Sequence, residues 1–458
     1  MNLVVTEKFT GEKIQQLQLK DEKSFAEIND NIRKAFEFYK NSSSAVRKNI
    51  LYGISQLIAA QKQEIADLIS RESAKPMKYS LGEVDRAIYT FKLAAEECDK
   101  FDGQHLMLDG FLPNVEKEAL VRYFPSGAVY GITPFNFPLN LVAHKVAPAI
   151  AVGAPIVIKP DLRTPLSALK LQNIALEAGL PLVCFQVALW KNETAENFLQ
   201  YGEIKILSFT GSPKVGWHLK SKSGKKKVLL ELGGNAGVIV TPSCTVDKIV
   251  SSLVNGMIAY SGQVCIHTQR VIVHESIYDE LKTKLIEAYN GLKFGNPTDP
   301  QTDVSVMIDE ENAKRVEQWV NEALEDGAVL LTGGKRNGAF YEPAILENVN
   351  PDCKVYCEEV FGPVAILQKY DDFKEAVDFI NQSKYGLQAG IFTDNWHEAM
   401  YAFEHIECGG IILNDVPTYR SDRMPYGGMK DSGLGREGIR YAMMEYCEPK
   451  VLVWPRIS

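Results

Sequence analysis

Residues 204–216 read IKILSFTGSPKVG, an apolar run that ends in a glycine-containing turn and leads into a helix-forming segment. Similar apolar runs lie on both sides of this stretch along the chain, at Ala128–Ile132, Pro155–Ile158, Val183–Leu189 and Val228–Leu232. Helix-like segments separate the runs, around residues 138–152, 165–178, 193–201 and 214–222. Strands that alternate with helices predict an α/β protein with a doubly wound parallel sheet, and such sheets bind ligands beyond the carboxyl ends of their strands.

The turn after the fourth of these strands is a candidate phosphate site. Gly211 and Ser212 lie at the strand end, and Gly216 lies early in the following helix. Glycine leaves backbone N–H groups free to meet a phosphate, and the helix dipole favours its negative charge. The spacing departs from the usual G-x-G-x-x-G fingerprint, so this turn alone is weak evidence for a dinucleotide.

The composition argues against several classes of protein. The chain of 458 residues is long enough for two or three domains, and 45% apolar with 24% charged residues is an ordinary globular composition. A net charge of −8 argues against nucleic acid or an anionic membrane surface as a partner. The most apolar long segment, Leu139–Ile158, is interrupted by His144 and Lys145, so no membrane span is expected.

The eight cysteines are scattered, with no C-x-x-C pair and no histidine-rich neighbourhood. This pattern predicts neither a disulfide framework nor a zinc site, and it is typical of a reducing cytoplasm. The first ten residues lack the charged-then-apolar pattern of a secretion signal. We therefore expect a cytoplasmic protein that needs no metal.

Further elements are predicted on both sides of the sheet. Ser24-x-x-Glu27 has the pattern of a capping box at the start of one amphipathic helix, and a second, longer helix covers Ala45–Ser70. A strand is predicted at Leu120–Phe124. Past the first sheet, Val238–Val240 begins a second α/β region that runs to about residue 440, with helices near residues 246–260, 277–291, 310–326 and 373–383.

Cys265 is the candidate nucleophile, because it lies in a segment of small, flexible residues, Tyr260–Ile266, that a substrate can approach closely. Glu231 precedes a glycine pair earlier in the chain, and a carboxylate there could activate water against a covalent intermediate on sulfur. The alternative is a buried, inert cysteine, which is the usual fate of an unpaired thiol.

These two segments, Leu230-Glu231-Leu232-Gly233-Gly234 and Gly262-Gln263-Val264-Cys265, resemble the glutamate and cysteine signatures of the aldehyde dehydrogenase family. Pro134-Phe135-Asn136-Phe137-Pro138 resembles the asparagine motif of the same family, and the resemblance covers roughly residues 20 to 458. It implies an aldehyde dehydrogenase-like fold, with two doubly wound parallel-sheet domains and a small β oligomerisation element. The implied cofactor-binding domain covers residues 1–106 and 127–233, the catalytic domain 234–443, and the oligomerisation element 107–126 and 444–458.

The resemblance also implies the roles of three catalytic residues. Cys265 would attack an aldehyde, and the Asn136 amide with the Cys265 backbone N–H would donate to the oxygen of the adduct. After hydride transfer to a nicotinamide, Glu231 would activate water to hydrolyse the thioester. Glu437, in Gly433-Leu434-Gly435-Arg436-Glu437-Gly438, matches a further motif whose glutamate relays protons.

The implied cofactor is NADP or NAD. The residues assigned to it are Thr133, Pro134, Lys159, Gly211, Ser212, Gly216, Leu232, Glu359 and Phe361. NAD-preferring members usually carry a glutamate three residues after the lysine, and here Leu162 stands in that position, followed by Arg163. Without that carboxylate a 2′-phosphate is not repelled, so NADP is slightly favoured and NAD stays open.

The substrate is expected to be a small aldehyde. Ile132–Ala151, Tyr260–Ile266 and Met424–Gly438 look most like the lactaldehyde dehydrogenase branch, near the non-phosphorylating glyceraldehyde-3-phosphate type. Arg420 and Arg423 precede the last of these motifs closely, and we hypothesise that one of them binds a negative group on a hydroxyaldehyde or related anionic aldehyde.

Several alternatives remain. A succinate-semialdehyde enzyme would usually place arginines where this chain has Ala259 and His144, and a CoA-acylating member would usually lack Glu231. A cysteine hydrolase would need a histidine base, for which only His267 is near in sequence, and a non-catalytic descendant should have lost the catalytic residues. The terminal strand Lys450–Trp454 is expected to pair in a neighbouring subunit, which implies a homodimer or homotetramer.

Overall fold

The computed structural model describes residues 2–110 and 116–456. The helices in these ranges are α1 Ser24–Tyr39, α2 Ser44–Ala60, α3 Lys62–Ser73, α4 Met77–Glu97, α5 Asn140–Val152, α6 Leu166–Glu177, α7 Asn192–Asn197, α8 Pro213–Lys222, α9 Val246–Ile258, α10 Glu275–Asn290, α11 Glu310–Glu325, α12 Lys354–Cys357, α13 Phe373–Asn381, α14 Trp396–His405 and α15 Ile439–Glu445. The strands are β1 Asn2–Thr6, β2 Lys13–Gln18, β3 Gln104–Met107, β4 Lys117–Pro125, β5 Ala128–Ile132, β6 Ile156–Lys159, β7 Phe185–Val187, β8 Ile204–Thr210, β9 Lys227–Glu231, β10 Ala236–Val240, β11 Thr268–His274, β12 Val329–Thr332, β13 Arg336–Asn337, β14 Phe340–Tyr341, β15 Ala344–Glu347, β16 Val364–Tyr370, β17 Tyr385–Gly386, β18 Gln388–Phe392, β19 Gly410–Leu413, β20 Met429–Lys430, β21 Gly433–Leu434 and β22 Cys447–Pro455.

The first sheet has six strands in the order β21-β9-β8-β5-β6-β7, and all but β21 are parallel. Side chains alternate between its faces, as Val129 and Tyr130 show by packing into different hydrophobic clusters. Helices α2 to α6 cover the Val129 face, whereas α1 and α8 cover the other. The predicted doubly wound α/β fold is confirmed.

The second sheet has seven strands in the order β12-β15-β16-β11-β10-β18-β19, and only its edge strand β12 runs antiparallel. Val238 and Val240 pack against α9 and α10, while Ile239 between them packs against α13 and α14. This sheet is therefore also covered on both faces. Helix α5 lies in the core beneath the first sheet, and even its His144 and Lys145 are buried.

A third sheet, in the order β22-β4-β3, gives the terminal strand a partner within the chain, while its pairing in a neighbouring subunit stays a prediction. Strand β22 pairs with β4 of the same chain over nine residues, from Cys447 opposite Pro125 to Pro455 opposite Lys117. A partner subunit is therefore not needed to satisfy that edge. No strand within residues 2–110 and 116–456 pairs with the other edge of β22, and Val451 and Leu452 in this strand are 61% and 64% exposed.

Three local predictions were wrong. Ala45–Ser70 is not one helix, because the chain breaks at Gln61, whose φ is −107°. The capping box does not form, since Lys23 takes the cap position and Ser24 Oγ donates instead to the Asp21 carbonyl at 2.6 Å. The run Val183–Leu189 forms only the short strand β7, because a 3₁₀ turn occupies residues 182–184.

The expected division into domains follows the sheets closely but stays a prediction. Strand β3 begins at Gln104, so the small sheet includes residues that were assigned to the cofactor-binding domain. Strand β21, expected in the catalytic domain, adds antiparallel to the first sheet. Residues 1, 111–115 and 457–458 of the expected domains lie outside the described residues. Among the described residues, none of the helices combines the length and apolar character that a membrane span requires.

Candidate active site

A cavity of about 710 Å³ opens at the carboxyl ends of β5, β6, β8 and β9. Because these four strands are parallel neighbours, the residues that follow them meet at one edge of the sheet. The predicted site residues that line the cavity are Thr133, Pro134, Asn136, Lys159, Gly211, Ser212, Glu231, Leu232, Cys265, Glu359, Phe361 and Arg420. The structure thus brings most of the predicted residues to one place, although their roles stay predictions.

One end of the cavity has the donors that a dinucleotide needs. Helix α8 begins there, and the side chain of its N-cap residue Ser212 does not bond to the helix, so the first-turn N–H groups stay open to a phosphate. The buried Lys159 ammonium donates to Asn192 Oδ1 at 2.5 Å. Thr133 Oγ1 is buried without a hydrogen-bond partner among the described residues. These groups suit a pyrophosphate and a ribose.

Glu359 and Phe361 enter the cavity from the loop between α12 and β16. Glu359 Oε1 accepts a hydrogen bond from the Gly234 N–H at 3.0 Å, and burial raises the pKa of this carboxyl to about 7. Phe361 has a φ of +47° and packs edge-to-face on Phe135, with ring centroids 5.8 Å apart. Two separate loops therefore meet in one aromatic contact at the cavity wall.

Cys265 follows a strained turn. Tyr260, Ser261 and Gly262 have consecutive φ values of +48°, +53° and +69°. Such a conformation costs about 1–3 kcal/mol for each non-glycine residue and persists only where the surroundings fix it. The Tyr260 hydroxyl donates to the Ser73 carbonyl at 2.6 Å. At Gly262 a Cβ atom would lie 2.0 Å from the Gly362 carbonyl oxygen, so only glycine fits.

The Cys265 thiol contacts a hydroxyl group that the sequence analysis did not assign to the site. Its Sγ is 3.4 Å from the Tyr426 hydroxyl. Burial raises the pKa of Cys265 to about 11, and the Tyr426 hydrogen bond opposes that shift. The thiol is therefore protonated at neutral pH in this protein and needs a proton acceptor before it can attack a carbonyl.

The Asn136 amide is fixed beside this turn. Its Nδ2 donates to the Gln263 carbonyl at 3.0 Å, which orients the side chain towards the cysteine loop. An amide nitrogen carries two hydrogens, so one donor is left for a ligand in the cavity. Asn136 is 3% exposed, and its Oδ1 has no partner among the described residues.

Two buried carboxylates lie at this part of the cavity, Glu231 in its lining and Glu437 behind Arg420. Glu231 Oε2 has no hydrogen-bond partner within residues 2–110 and 116–456, and burial, together with the charge of Glu437, raises the pKa of Glu231 well above 4.5. Glu437 accepts from Lys145 Nζ at 3.2 Å and from Arg420 at 2.9 Å. Burial opposes ionisation of Glu437, but these two cations outweigh it and lower its pKa to about 2.

The comparisons with known proteins identify the family. The sequence profile described as "Aldehyde dehydrogenase family" matches residues 2–452. The chain belongs to the aldehyde dehydrogenase family.

Three relatives align with almost the whole length of this aldehyde dehydrogenase. It is 41% identical to a 3-sulfolactaldehyde dehydrogenase of Priestia aryabhattai, over 97% of this chain and 95% of the relative. Aldehyde dehydrogenase 21 from Physcomitrella patens, solved in complex with the reaction product succinate, is 46% identical with a TM-score of 0.97, covering 100% and 95% of the two chains. A glyceraldehyde-3-phosphate dehydrogenase from Methanocaldococcus jannaschii, solved with NADP, is 36% identical with a TM-score of 0.95, covering 99% of both chains.

These findings confirm the expected enzyme class, an NAD(P)-dependent oxidoreductase that acts on aldehydes. Three predicted residues of the dehydrogenase nevertheless lie outside the cavity lining. Gly216 packs instead against β9, since a Cβ there would lie 2.4 Å from Leu232 Cδ2. Arg423 is exposed, and Glu437 lies behind Arg420.

The end of the cavity away from α8 contains residues that the sequence analysis did not assign to the site. Arg86 of α4 lines the cavity and pairs with Asp422 at 3.3 Å. Asp422 also lies 3.2 Å from His144 Nε2, and His144 Nδ1 lies 3.3 Å from Arg420. Tyr426 could have been noticed beside its glycine pair, but no local signal marks Arg86.

Proposed function

We propose that this enzyme oxidises a small aldehyde carrying a negative charge to the corresponding carboxylate, with NADP favoured over NAD. The observation that carries the proposal is the arginine pair at the substrate end of the cavity, Arg86 and Arg420. Arg420 lines the cavity, and the hydrogen-bond partners it has among the described residues, His144 and Glu437, both contact its Nη2. A buried guanidinium with a free donor is well suited to a carboxylate or sulfonate.

In the proposed reaction, the Cys265 thiol loses its proton to solvent through the cavity, and Sγ then forms a bond to the aldehyde carbon. The carbonyl oxygen becomes an oxyanion that accepts from the Asn136 amide and the Cys265 N–H. A bound nicotinamide would supply the acceptor for the hydride of that carbon, and Cys265 would then hold the acyl group as a thioester.

Glu231 acts in the second half of the reaction, as the base for water. It takes a proton from water, the water oxygen bonds to the thioester carbon, and the carbon–sulfur bond breaks to release the carboxylic acid. Its unpartnered Oε2 leaves an acceptor free for that proton. Lys159, Thr133 and the start of α8 would hold the dinucleotide during both halves.

The preference for NADP rests on Leu162. Its side chain packs partly buried against the core beneath the first sheet, and so offers no carboxylate to a 2′-hydroxyl. The adjacent Arg163 is bound to Asp161 at 2.8 Å and to Asp309 at 3.0 Å, which compensates its charge. The site has no acid at position 162 that would repel a 2′-phosphate, but Arg163 is not free to bind one. We therefore expect only a slight preference for NADP over NAD.

Succinate semialdehyde is a second candidate substrate. The sequence argument against it was the lack of arginine at Ala259 and His144. In the structure the positive charge of the cavity comes from Arg86 and Arg420 instead, and a 46% identical relative was solved with the product succinate. We therefore keep 3-sulfolactaldehyde-like and succinate-semialdehyde-like compounds as one class, in which an anionic group lies a few atoms from the aldehyde.

The test is a comparison of kcat/KM for anionic and neutral aldehydes of equal length, measured by cofactor reduction at 340 nm with NADP and NAD separately. Arg420→Met should lower kcat/KM for anionic aldehydes about tenfold to a hundredfold more than for neutral ones, because hydrogen bonds to charged groups contribute about 1.5–3 kcal/mol. Arg423→Met is the matched control, since that arginine is exposed and outside the cavity. Equal losses for both aldehyde classes in Arg420→Met would refute the proposal.

We also propose that the chain forms a homodimer or homotetramer in a reducing cytoplasm. Support for assembly comes from the open apolar edge of β22, which would be prone to pairing if left uncovered. Support for the compartment comes from the eight cysteines, none of which forms a disulfide. Light scattering on the purified protein measures the first point, and a monomer at micromolar concentration would contradict it.

A further inference from the structure

An ion pair with no solvent contact lies beside the aromatic rings of Phe137 and Tyr260. Lys75, between α3 and α4, bonds to Glu83 of α4, and both side chains are 0% exposed. Burying two charges is costly, and replacement of such a pair by apolar residues is often neutral or stabilising. The reaction described above uses neither residue, so stability alone is a weak explanation for this pair.

Glu83 fixes the loop that carries Asn136. Its Oε1 accepts from the backbone N–H groups of Leu139 and Asn140, both at 3.0 Å, at the start of α5. A carboxylate in this position satisfies donors that the helix leaves open and interacts favourably with the helix dipole. The Asn136 side chain lies only three residues before this capped end, so its position depends on that cap.

Lys75 connects the same loop to the strained turn before Cys265. Its Nζ lies 3.7 Å from the ring centroid of Phe137 and 4.7 Å from that of Tyr260. An ammonium over an aromatic face is attracted by the ring, and the attraction is strongest where water is absent. Phe137 follows Asn136 directly, and Tyr260 begins the positive-φ turn.

We propose that Lys75 and Glu83 are positioning residues that set the distance between the two donors of the oxyanion site, the Asn136 amide and the Cys265 N–H. Glu83 holds the asparagine loop by its cap, and Lys75 joins that loop to the cysteine turn through two aromatic rings. The inference rests on the oxyanion role given to Asn136 and Cys265 in the proposed function. It predicts that the pair affects turnover without touching substrate or cofactor.

The test is the double variant Lys75→Met with Glu83→Gln, because either single change would leave one charge buried without its partner. The amide oxygen that Glu83→Gln introduces can still accept from Leu139, so the cap is retained while the cation is lost. We expect kcat with a saturating small aldehyde to fall about tenfold to a hundredfold, less than the roughly hundredfold to thousandfold typical for outright loss of one oxyanion donor. Alkylation of Cys265 by iodoacetamide, corrected with Cys265→Ala, should stay within about twofold of the unmodified enzyme, since it forms no oxyanion.

A matched control comes from Glu72, a second buried carboxylate that caps a helix. It accepts from the Leu166 and Ser167 N–H groups at the start of α6, and it makes no hydrogen bond to the loops of Asn136 or Cys265. Glu72→Gln should leave kcat within about twofold, because its cap lies on α6 and not on the loop of Asn136. If the double variant does not fold, Phe137→Leu removes one ring and keeps the ion pair, and it should show the same separation of kcat from alkylation.

An unchanged kcat in the folded double variant overturns the inference, and so does an equal fall of kcat and alkylation, which would indicate general damage. Asn136→Ala separates this inference from the proposed function. If that variant keeps full turnover, the oxyanion role itself fails. If it loses turnover while the double variant does not, only the positioning role of Lys75 and Glu83 fails.

Discussion

Glu231 and Glu437 are two buried carboxylates at the same end of the first sheet, yet their surroundings differ completely. Glu231 ends β9 with one oxygen unpartnered, whereas Glu437 accepts from both Lys145 and Arg420. Burial raises the pKa of Glu231, and the two cations lower the pKa of Glu437 to about 2 in spite of burial. Two groups of the same chemistry, pushed in opposite directions, indicate different roles.

The difference shows which group can act as a base. A carboxylate with a pKa near 2 and both oxygens engaged accepts protons poorly at neutral pH, so Glu437 serves as a fixed negative charge. That charge raises the proton affinity of Glu231 and holds Arg420 at the cavity. The structure therefore favours Glu231 as the base and a supporting role for Glu437.

The largest effect is expected from Glu231→Gln. Removing a general base typically costs about a hundredfold to ten-thousandfold in rate, and here the loss should fall on thioester hydrolysis. A thioester that forms but is not hydrolysed gives one rapid equivalent of reduced cofactor followed by very slow turnover. Stopped-flow absorbance at 340 nm measures both phases. Glu437→Gln is the control, and the proposed assignment fails if that variant, rather than Glu231→Gln, shows the burst.

A shift of the acid limb of the pH profile is the next largest effect. Activity needs ionised Glu231, so kcat should fall as the pH drops through the raised pKa of this group. Glu437→Gln removes the negative charge that helps to raise that pKa, and the limb should therefore move to lower pH. Measurement of kcat from pH 5 to 9 decides the point. A limb that stays in place would show that the two carboxylates do not interact as the structure indicates.

The two halves of the cavity differed in how well the sequence predicted them. Asn136, Lys159, Glu231 and Cys265 each lie in a short motif at a strand end or turn, and parallel strands bring such ends together. Local sequence was therefore sufficient to find these residues and the fold around them. The same reasoning assigned Gly216 to the cofactor, although its lack of a side chain serves packing against Leu232.

The substrate half could not be predicted in this way, because its residues come from separate segments that only tertiary packing brings together. Arg86 lies on α4, His144 on α5, and Asp422 on the loop after β19. The buried pair Lys75 and Glu83 was missed for the same reason, since α4 was not among the predicted helices. In a sequence, charged residues such as Lys75 and Glu83 are usually interpreted as solvent-exposed. Only the neighbours that surround them in three dimensions show that they are buried.

The smallest expected effect is on stability, where the two carboxylates should respond with opposite signs. A pKa that is lower in the folded state stabilises the fold above the unfolded value of 4.5 and loses that stabilisation only as the pH falls towards about 2. Glu437→Gln should therefore lower the melting temperature by a similar amount throughout pH 5 to 9.

A pKa that is raised in the folded state, as that of Glu231 is, has the reverse effect. Its stabilisation of the fold is complete below pH 4.5 and is lost as the pH rises through the folded value. Glu231→Gln should consequently raise the melting temperature by about 1–3 °C, and the gain should grow with pH. Differential scanning fluorimetry at several pH values measures both trends. A loss of stability in Glu231→Gln that is independent of pH would contradict the explanation that ionised Glu231 is a buried charge without a compensating cation.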